Sequence, residues 1–180
     1  MNAILKKTSL ILFFVAAQCI ASEDNMSYLE SDEQFIRILD KNREAEAWAT
    51  CAVVYSITAS YYEDENQEQA AVWKNQANGA TLAVAMSHFS TIFEEDDVSK
   101  ERFESTWELA QVLAKGIPET RLAIILADKK SLEKSGSDLF PQKLAETLRV
   151  CHGNLEAQQA YIDLWRELFK TGMLKSKDRQ

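Results

Sequence analysis

Apolar residues recur at steps of three and four along most of the chain, which is the spacing of amphipathic helices. One such stretch runs over Ser31–Tyr62, with Ser31 as its N-cap, and a second runs over Gln67–Phe93. The polar turn Glu63–Asn66 separates them. Because each stretch holds about 30 residues and the turn is short, the two are predicted to pack as a long antiparallel helix hairpin. The apolar positions of the first stretch are Phe35, Ile38, Leu39, Trp48, Cys51, Ala52, Tyr55, Ile57 and Ala59.

Small residues mark the faces where the two helices of this hairpin would meet. They are Ala45, Ala49, Ala52, Ser56 and Ala59 on the first helix, and Ala77, Gly79, Ala80, Ala83 and Ala85 on the second. We expect close approach of the two backbones along these faces. Gly79 costs about 1 kcal/mol relative to alanine inside a helix, so it is explained by packing or a local bend. A ligand pocket beside Gly79 is the alternative.

Glycine, proline and asparagine divide the second half of the chain into four shorter helical patterns. These cover Ser99–Ala114, Pro118–Gly136, Leu139–Gly153 and a last stretch for which Asn154 is the expected N-cap. The apolar residues of the first two patterns are Phe103, Trp107, Leu109, Val112 and Leu113, then Leu122, Ile125, Leu126 and Leu132. The chain has 5 Gly and 2 Pro, too few for the turns of a sandwich or barrel. The prediction is an all-α fold, a single helical domain in which about four shorter helices pack against the long hairpin.

The N-terminus has the pattern of a secretory signal peptide. Lys6 and Lys7 precede an apolar run over residues 10–17, and small residues precede Ser22. Residues 1–21 are therefore expected to be cleaved, leaving a mature protein in the periplasm. The alternatives are a membrane anchor, for which the apolar run is short, and extracellular release. A further alternative is a lipoprotein acylated on Cys19, but Gln18 stands where a small residue is expected.

The rest of the chain is expected to form one helical domain over residues 22–171. Residues 172–180 are expected to form a frayed tail, and Lys175, Lys177 and Arg179 make that tail basic. No stretch after the signal could span a membrane, so no stable membrane insertion is expected after cleavage.

Two cysteines, Cys51 and Cys151, remain in the mature chain. In an oxidising compartment they are predicted to form one disulfide that fastens the second half of the chain to the first helix. Two unpaired buried thiols are the alternative. The sequence has no C-x-x-C spacing, so it does not indicate a redox or metal role for this pair.

Acidic residues are concentrated in the first half of the mature chain. Residues 22–100 hold 16 acidic and 5 basic side chains, whereas residues 101–180 hold 12 acidic and 13 basic ones. Phosphate binding needs a basic stripe, so nucleic acid is not expected as a partner. The acidic half is expected either to pair with the other half of the chain or to bind a cationic partner.

The sequence lacks the common catalytic and cofactor motifs: the nucleophile elbow, the phosphate loop, the H-E-x-x-H zinc motif and C-x-x-C-H. His88 is interpreted as a core residue, and His152 as a residue that stabilises a helix end. A Cys151/His152 thiol–imidazole pair would require the disulfide to be absent. The acidic clusters 63–65 and 94–97 lack the spacing of a calcium loop, and they are interpreted as acidic first turns. We therefore predict no catalytic residue, no cofactor and no metal site, and an enzyme is the less favoured interpretation.

The candidate binding residues stand at the turn of the hairpin and are Tyr61, Tyr62, Glu63, Asp64 and Glu65. Tyrosine is common at interfaces, and two adjacent rings on a helix cannot both face the same core. The leading hypothesis is an exported non-catalytic helical protein that acts by protein–protein binding, in an immunity, inhibitor or chaperone-like role. One alternative is a small-ligand-binding protein or enzyme with a site near His88 and Gly79. Another is a self-associating envelope structural protein. The sequence does not determine the oligomeric state.

Overall fold

A computed structural model describes residues 34–36, 43–93 and 99–174 of the chain. These residues form six helices and no strand, which confirms the predicted all-α domain. The helices are α1 (Arg43–Tyr62), α2 (Gln67–Ile92), α3 (Lys100–Ala114), α4 (Ile117–Lys134), α5 (Leu139–Gly153) and α6 (Leu155–Lys170). The predicted signal peptide, the acidic cluster 94–97 and residues 175–180 lie outside the described ranges. Within those ranges no helix combines the length and the apolar character needed to cross a membrane.

The predicted long hairpin is confirmed and forms the centre of the fold. α1 and α2 pack along each other, α4 and α5 lie against α1, and α3 and α6 lie against α2. Every residue from Ala45 to Tyr55 is buried, as expected for a helix covered on all sides. Residues 63–65 form the turn, and the Asn66 side chain caps α2 by accepting a hydrogen bond from the Gln69 backbone N–H at 3.0 Å. Because residues 60–68 are all exposed, this turn projects as the tip of the hairpin.

Eight of the ten small residues predicted at the contact between α1 and α2 are buried alanines. The buried alanines are Ala45, Ala49, Ala52, Ala59, Ala77, Ala80, Ala83 and Ala85. Ser56 is exposed, so its assignment to this interface is wrong. Gly79 is buried, but a Cβ atom on it would meet the Gln158 side-chain amide and would lie 3.2 Å from Cδ1 of Ile162. Gly79 therefore allows close approach of α6 rather than of α1.

The prediction of one continuous helix over Ser31–Tyr62 is wrong at residues 34–36, which are not helical. Phe35 and Ile36 are both buried, but they belong to two separate hydrophobic clusters. The Phe35 backbone N–H donates to Oγ1 of Thr147 on α5 at 2.9 Å, so it is not used in a helix. Periodicity alone could not show this, because the hydrogen bond of Phe35 is made to Thr147, in a distant part of the chain.

An ion pair is buried between α1 and α4. Nη2 of Arg121 donates to Oε2 of Glu46, and Arg121 is only 2% exposed. The smaller of the two hydrophobic clusters fills the space between the same two helices and α5. The sequence pattern did not single out this pair, because charged positions on a helix are assigned to solvent by default.

The predicted disulfide is confirmed. The sulfurs of Cys51 and Cys151 are 2.03 Å apart, and the bond joins the middle of α1 to the end of α5 across 100 residues of sequence. Both residues are fully buried. The alternative of two free thiols, and with it a Cys151/His152 nucleophile, is therefore excluded in this structure.

Two helix ends test the predicted capping residues in opposite ways. The Ser99 hydroxyl accepts a hydrogen bond from the Arg102 backbone N–H at 3.2 Å and caps α3 as expected. Asn154 was expected to cap α6, but its Nδ2 instead donates to the Val150 carbonyl at 2.8 Å. Asn154 therefore occupies the N-cap position of α6 as predicted, but its side chain bonds to the end of the preceding helix instead of capping α6.

The structure describes four residues after α6. Gly172 has φ of +71°, and its N–H and that of Met173 donate to the carbonyls of Phe169 and Leu168, which is the Schellman arrangement. Leu174 is buried in the larger hydrophobic cluster. Residues 172–174, predicted as the start of a frayed tail, therefore close the helix and cover part of the core.

Candidate functional site

The predicted binding residues all lie at the hairpin tip and all are exposed. Tyr61 is 57% exposed and Tyr62 is 37% exposed at the end of α1, and the turn residues 63–65 are exposed as well. Two tyrosine rings and three carboxylates therefore share one small projecting surface. We call this surface, residues 61–65, the hairpin tip.

The three carboxylates of the hairpin tip are not equivalent. Oε1 of Glu63 lies 2.6 Å from Nζ of Lys74 on α2, and this ion pair offsets the negative charge of Glu63. Asp64 and Glu65 form no ion pair within residues 34–36, 43–93 and 99–174. The uncompensated negative charge of the tip therefore belongs to Asp64 and Glu65.

Sequence reasoning missed an apolar surface on α3 and α4. Periodicity assigned Leu109, Val112, Leu113, Leu122 and Leu126 to the helix faces that pack on the core, but all five are exposed, with Val112 at 68%. α3 packs on α2 and α4 packs on α1, while α3 and α4 make few contacts with each other. Each helix therefore buries one side and leaves a second apolar side uncovered by the described residues. We call these five residues the apolar surface.

A groove of about 700 Å³ runs between α2 and α6, beside Gly79. Its walls carry five amide side chains, two charged side chains and three aliphatic ones. The lining residues are Asn75, Gln76, Asn78, Gly79, Leu82, Leu155, Glu156, Gln158, Gln159, Ile162 and Arg166. On both helices they recur at steps of three and four, so each helix contributes one face.

Gln158 is the most buried polar group of this groove, with 3% of the residue exposed. Its Nε2 donates to the backbone carbonyl and to Oε1 of Gln76, at 3.3 and 3.1 Å. Its Oε1 is buried and accepts no hydrogen bond from any residue that the structure describes. A buried acceptor without a donor costs free energy.

Neither histidine is among the residues that line this groove. His88 is half-buried, and nine residues separate it from Gly79 on α2, which places it about 180° round the helix. It is not among the lining residues. His152 is exposed in the last turn of α5. The groove therefore has no imidazole to act as a general base.

Burial perturbs two titratable groups in the core. Burial raises the pKa of Glu44, against hydrogen bonds from Tyr161 and Trp48 that lower it. Burial also raises the pKa of Tyr55, which stacks on Trp73 with ring centroids 5.8 Å apart. Among the described residues there is no cluster of three or more histidine, cysteine, aspartate or glutamate side chains able to hold a metal ion. Glu44 stands at the start of α1 and interacts with Tyr161 on α6, so we assign it a structural role.

Comparison of the chain with protein-family models, with curated proteins and with solved structures gives no match. The hairpin tip, the apolar surface and the groove are therefore the candidate sites of the described residues.

Proposed function

We propose that the protein is an exported, non-catalytic helical protein that binds a cationic protein through its hairpin tip. The observation that carries the proposal is the exposure of Tyr61 and Tyr62 directly beside Asp64 and Glu65. Tyrosine provides large contact area at low cost in conformational entropy, and uncompensated carboxylates attract basic residues of a partner. An immunity, inhibitor or chaperone-like role agrees with such a surface. Export to the periplasm is part of the proposal and is supported by the N-terminal pattern.

The charge of the chain supports the same kind of partner. Residues 22–100 carry most of the excess acid, and the hairpin tip lies within that half. Electrostatic attraction over a Debye length of about 10 Å at 0.1 M salt raises the association rate of a basic protein. Binding at the tip should therefore weaken steeply as salt is raised.

Reversing the two uncompensated charges of the tip should weaken capture of that partner. We expect Asp64→Lys with Glu65→Lys to reduce the affinity for a captured basic protein about tenfold at low salt, with little effect at high salt. The measurement uses the mature chain from Ser22, immobilised and exposed to periplasmic and secreted proteins of its own source. Glu63 is left unchanged, because its reversal would also break the ion pair with Lys74.

The matched control for this variant is Glu108→Lys with Glu119→Lys, two exposed acidic positions on α3 and α4, outside the hairpin tip. It alters the net charge by the same amount and should retain the partner. Both variants should keep the helical circular dichroism of the wild type. If both variants lose affinity for the partner equally, net charge rather than the tip explains the effect. If the tip variant captures the partner as well as the wild type does, binding at the tip is refuted.

The apolar surface favours a second candidate function, self-association of the chain. Leu109, Val112 and Leu113 lie one turn apart on α3, and Leu122 and Leu126 lie one turn apart on α4, so each helix exposes a group of apolar side chains rather than a single one. A second copy is the partner we assign to it, because one patch used by two identical chains forms a closed dimer. An envelope structural role would use this assembly.

Sedimentation of the mature chain separates self-association from the first proposal. If the apolar surface joins two copies, the mass should rise towards that of a dimer with increasing protein concentration. Val112→Glu with Leu126→Glu should then remain monomeric, while the control Val72→Glu, an exposed residue of α2, should behave as wild type. A wild-type chain that stays monomeric up to about 1 mM would exclude self-association as the function.

A further inference from the structure

We propose that α5 is a lid over the disulfide between Cys51 and Cys151, and that this bond exchanges with external thiols only while the lid is open. α5 opens without unfolding of the other helices. The burial of both cysteines, the narrow face by which α5 is attached and the wider attachment of α6 support this assignment. The lid is independent of any function of the hairpin tip.

The disulfide cannot react while α5 lies on α1. Thiol–disulfide exchange requires a thiolate to reach one of the two sulfurs. Cys51 and Cys151 are both 0% exposed, and both belong to the larger hydrophobic cluster. Removing the attacking thiolate from water into such a cluster costs much free energy, because it is a charged group. Exchange at this bond therefore needs a state in which part of the packing has opened.

α5 is attached to the domain by one narrow face. Its buried residues are Phe140, Leu144, Thr147 and Cys151, which follow each other at steps of three and four. Phe140 and Leu144 pack in the smaller hydrophobic cluster, and Oγ1 of Thr147 accepts the hydrogen bond of the Phe35 N–H at 2.9 Å. α5 lies mainly on α1 and makes few contacts with α4 and α6. Separating this one face from α1 uncovers Cys151, its fourth member.

α6 follows α5 directly but is attached more widely, along α2. Half-buried apolar residues of α6 that pack on the larger hydrophobic cluster are Leu155, Ala157, Trp165 and Phe169. In α5 only Leu148 and Val150 are of this kind. Nε2 of Gln158 on α6 also donates to Oε1 of Gln76 on α2 at 3.1 Å. When α5 opens, α6 therefore stays in place on α2.

The exchange in the open state is a two-electron step with a dithiol as the reductant. One thiolate of the dithiol attacks a sulfur of the bond, forms a mixed disulfide and releases the other cysteine as a thiolate. The second thiol then closes the reagent's own disulfide and frees the second cysteine. Two electrons and two protons pass from the dithiol to the cysteine pair. The reverse exchange, with an external disulfide as the oxidant, forms the bond before α5 closes over it.

The test measures how fast the oxidised mature chain is reduced by about 10 mM dithiothreitol, a dithiol, without denaturant. Free thiols are labelled with a maleimide and counted by mass spectrometry over time. The folded wild type should be reduced at least about a hundredfold more slowly than the chain unfolded in urea. Urea well below the unfolding transition should raise the rate little, because opening of one helix exposes little surface.

Two leucine variants distinguish opening of α5 from unfolding of the whole domain. Leu144→Ala removes packing from the attached face of α5 and should raise the reduction rate at least about tenfold. Leu168→Ala makes the same change at a buried position of α6, and should leave the rate within about twofold of the wild type. Thr147→Val is a milder variant of the α5 face, for use if Leu144→Ala does not fold. It should raise the rate about fivefold, because it removes the acceptor of the Phe35 N–H.

Three results would overturn the lid. Equal acceleration by the α5 and α6 variants, or a urea dependence as steep as that of global unfolding, would show that the bond is reached only when the whole domain unfolds. Reduction of the folded wild type as fast as that of the unfolded chain would show that the sulfurs are reached without any opening.

Discussion

Replacing Cys51 and Cys151 together by alanine is expected to lower the free energy of unfolding by about 4 to 5 kcal/mol. The disulfide closes 100 residues of sequence, and a loop of that length restricts the unfolded chain strongly. The bond also joins the most buried helix, α1, to α5 in the second half of the domain. Urea unfolding of the oxidised wild type and of the double variant, followed by circular dichroism, measures the difference.

Reduced wild type is the control for the packing of the two side chains. Both residues are fully buried, so part of the loss in the alanine variant could come from the missing sulfur atoms. If the cross-link itself stabilises the fold, reduced wild type should lose nearly as much free energy as the variant does. A loss below about 1 kcal/mol on reduction would contradict a stabilising role for the long loop.

Changing Arg121 to methionine should destabilise the domain by about 3 to 5 kcal/mol. The substitution leaves the Glu46 carboxylate buried between α1 and α4 without its guanidinium partner. A buried charge without compensation is among the most costly single changes a core can undergo. The same urea unfolding experiment measures the loss, and it should exceed that of most surface variants.

Removing both charges separates the free energy lost by breaking the pair from the net contribution of the pair to stability. Arg121→Met with Glu46→Leu should recover most of the lost stability, because two apolar residues of similar size can replace a buried ion pair. Arg149→Met breaks an exposed pair with Glu146 and should change stability little. If the double variant is as unstable as Arg121→Met alone, packing rather than charge explains the loss.

Local signals allowed much of the fold to be predicted. The bounds of α2 follow from apolar spacing and from the polar turn that ends at Asn66, whose side chain caps the helix. Ser99 and Pro118 mark the starts of α3 and α4 for similar local reasons. The disulfide was predictable because Cys51 and Cys151 are the two cysteines that the expected mature chain would retain, and in an oxidising compartment they would have only each other as partners.

Features that depend on distant partners could not be predicted from spacing. Phe35 leaves the helical pattern because its N–H bonds to Thr147, which lies 112 residues further along the chain. Asn154 fits the pattern of an N-cap but donates to the preceding helix. Val112 fits a core stripe, and periodicity identifies an apolar face without showing whether another element covers it.

The candidate sites divide in the same way. The sequence predicted that Tyr61 and Tyr62, next to an acidic turn, cannot both face the same core, but the exposure of both rings required the structure. The ion pair of Glu63 with Lys74 required the hairpin to be assembled. The groove could not be predicted from spacing either, since Gln158 and Gly79 meet only when α6 packs on α2.

The central claim, that the hairpin tip holds a protein partner, is tested most directly by site-specific photocross-linking inside the source cells. A benzoylphenylalanine placed at Tyr61 is compared with one placed at Val112, since both positions are well exposed. The proposal predicts one dominant adduct with a basic protein from position 61 and none of that adduct from position 112. Adducts only from position 112, with a mass of two copies of this chain, would contradict it and would assign the function to the apolar surface.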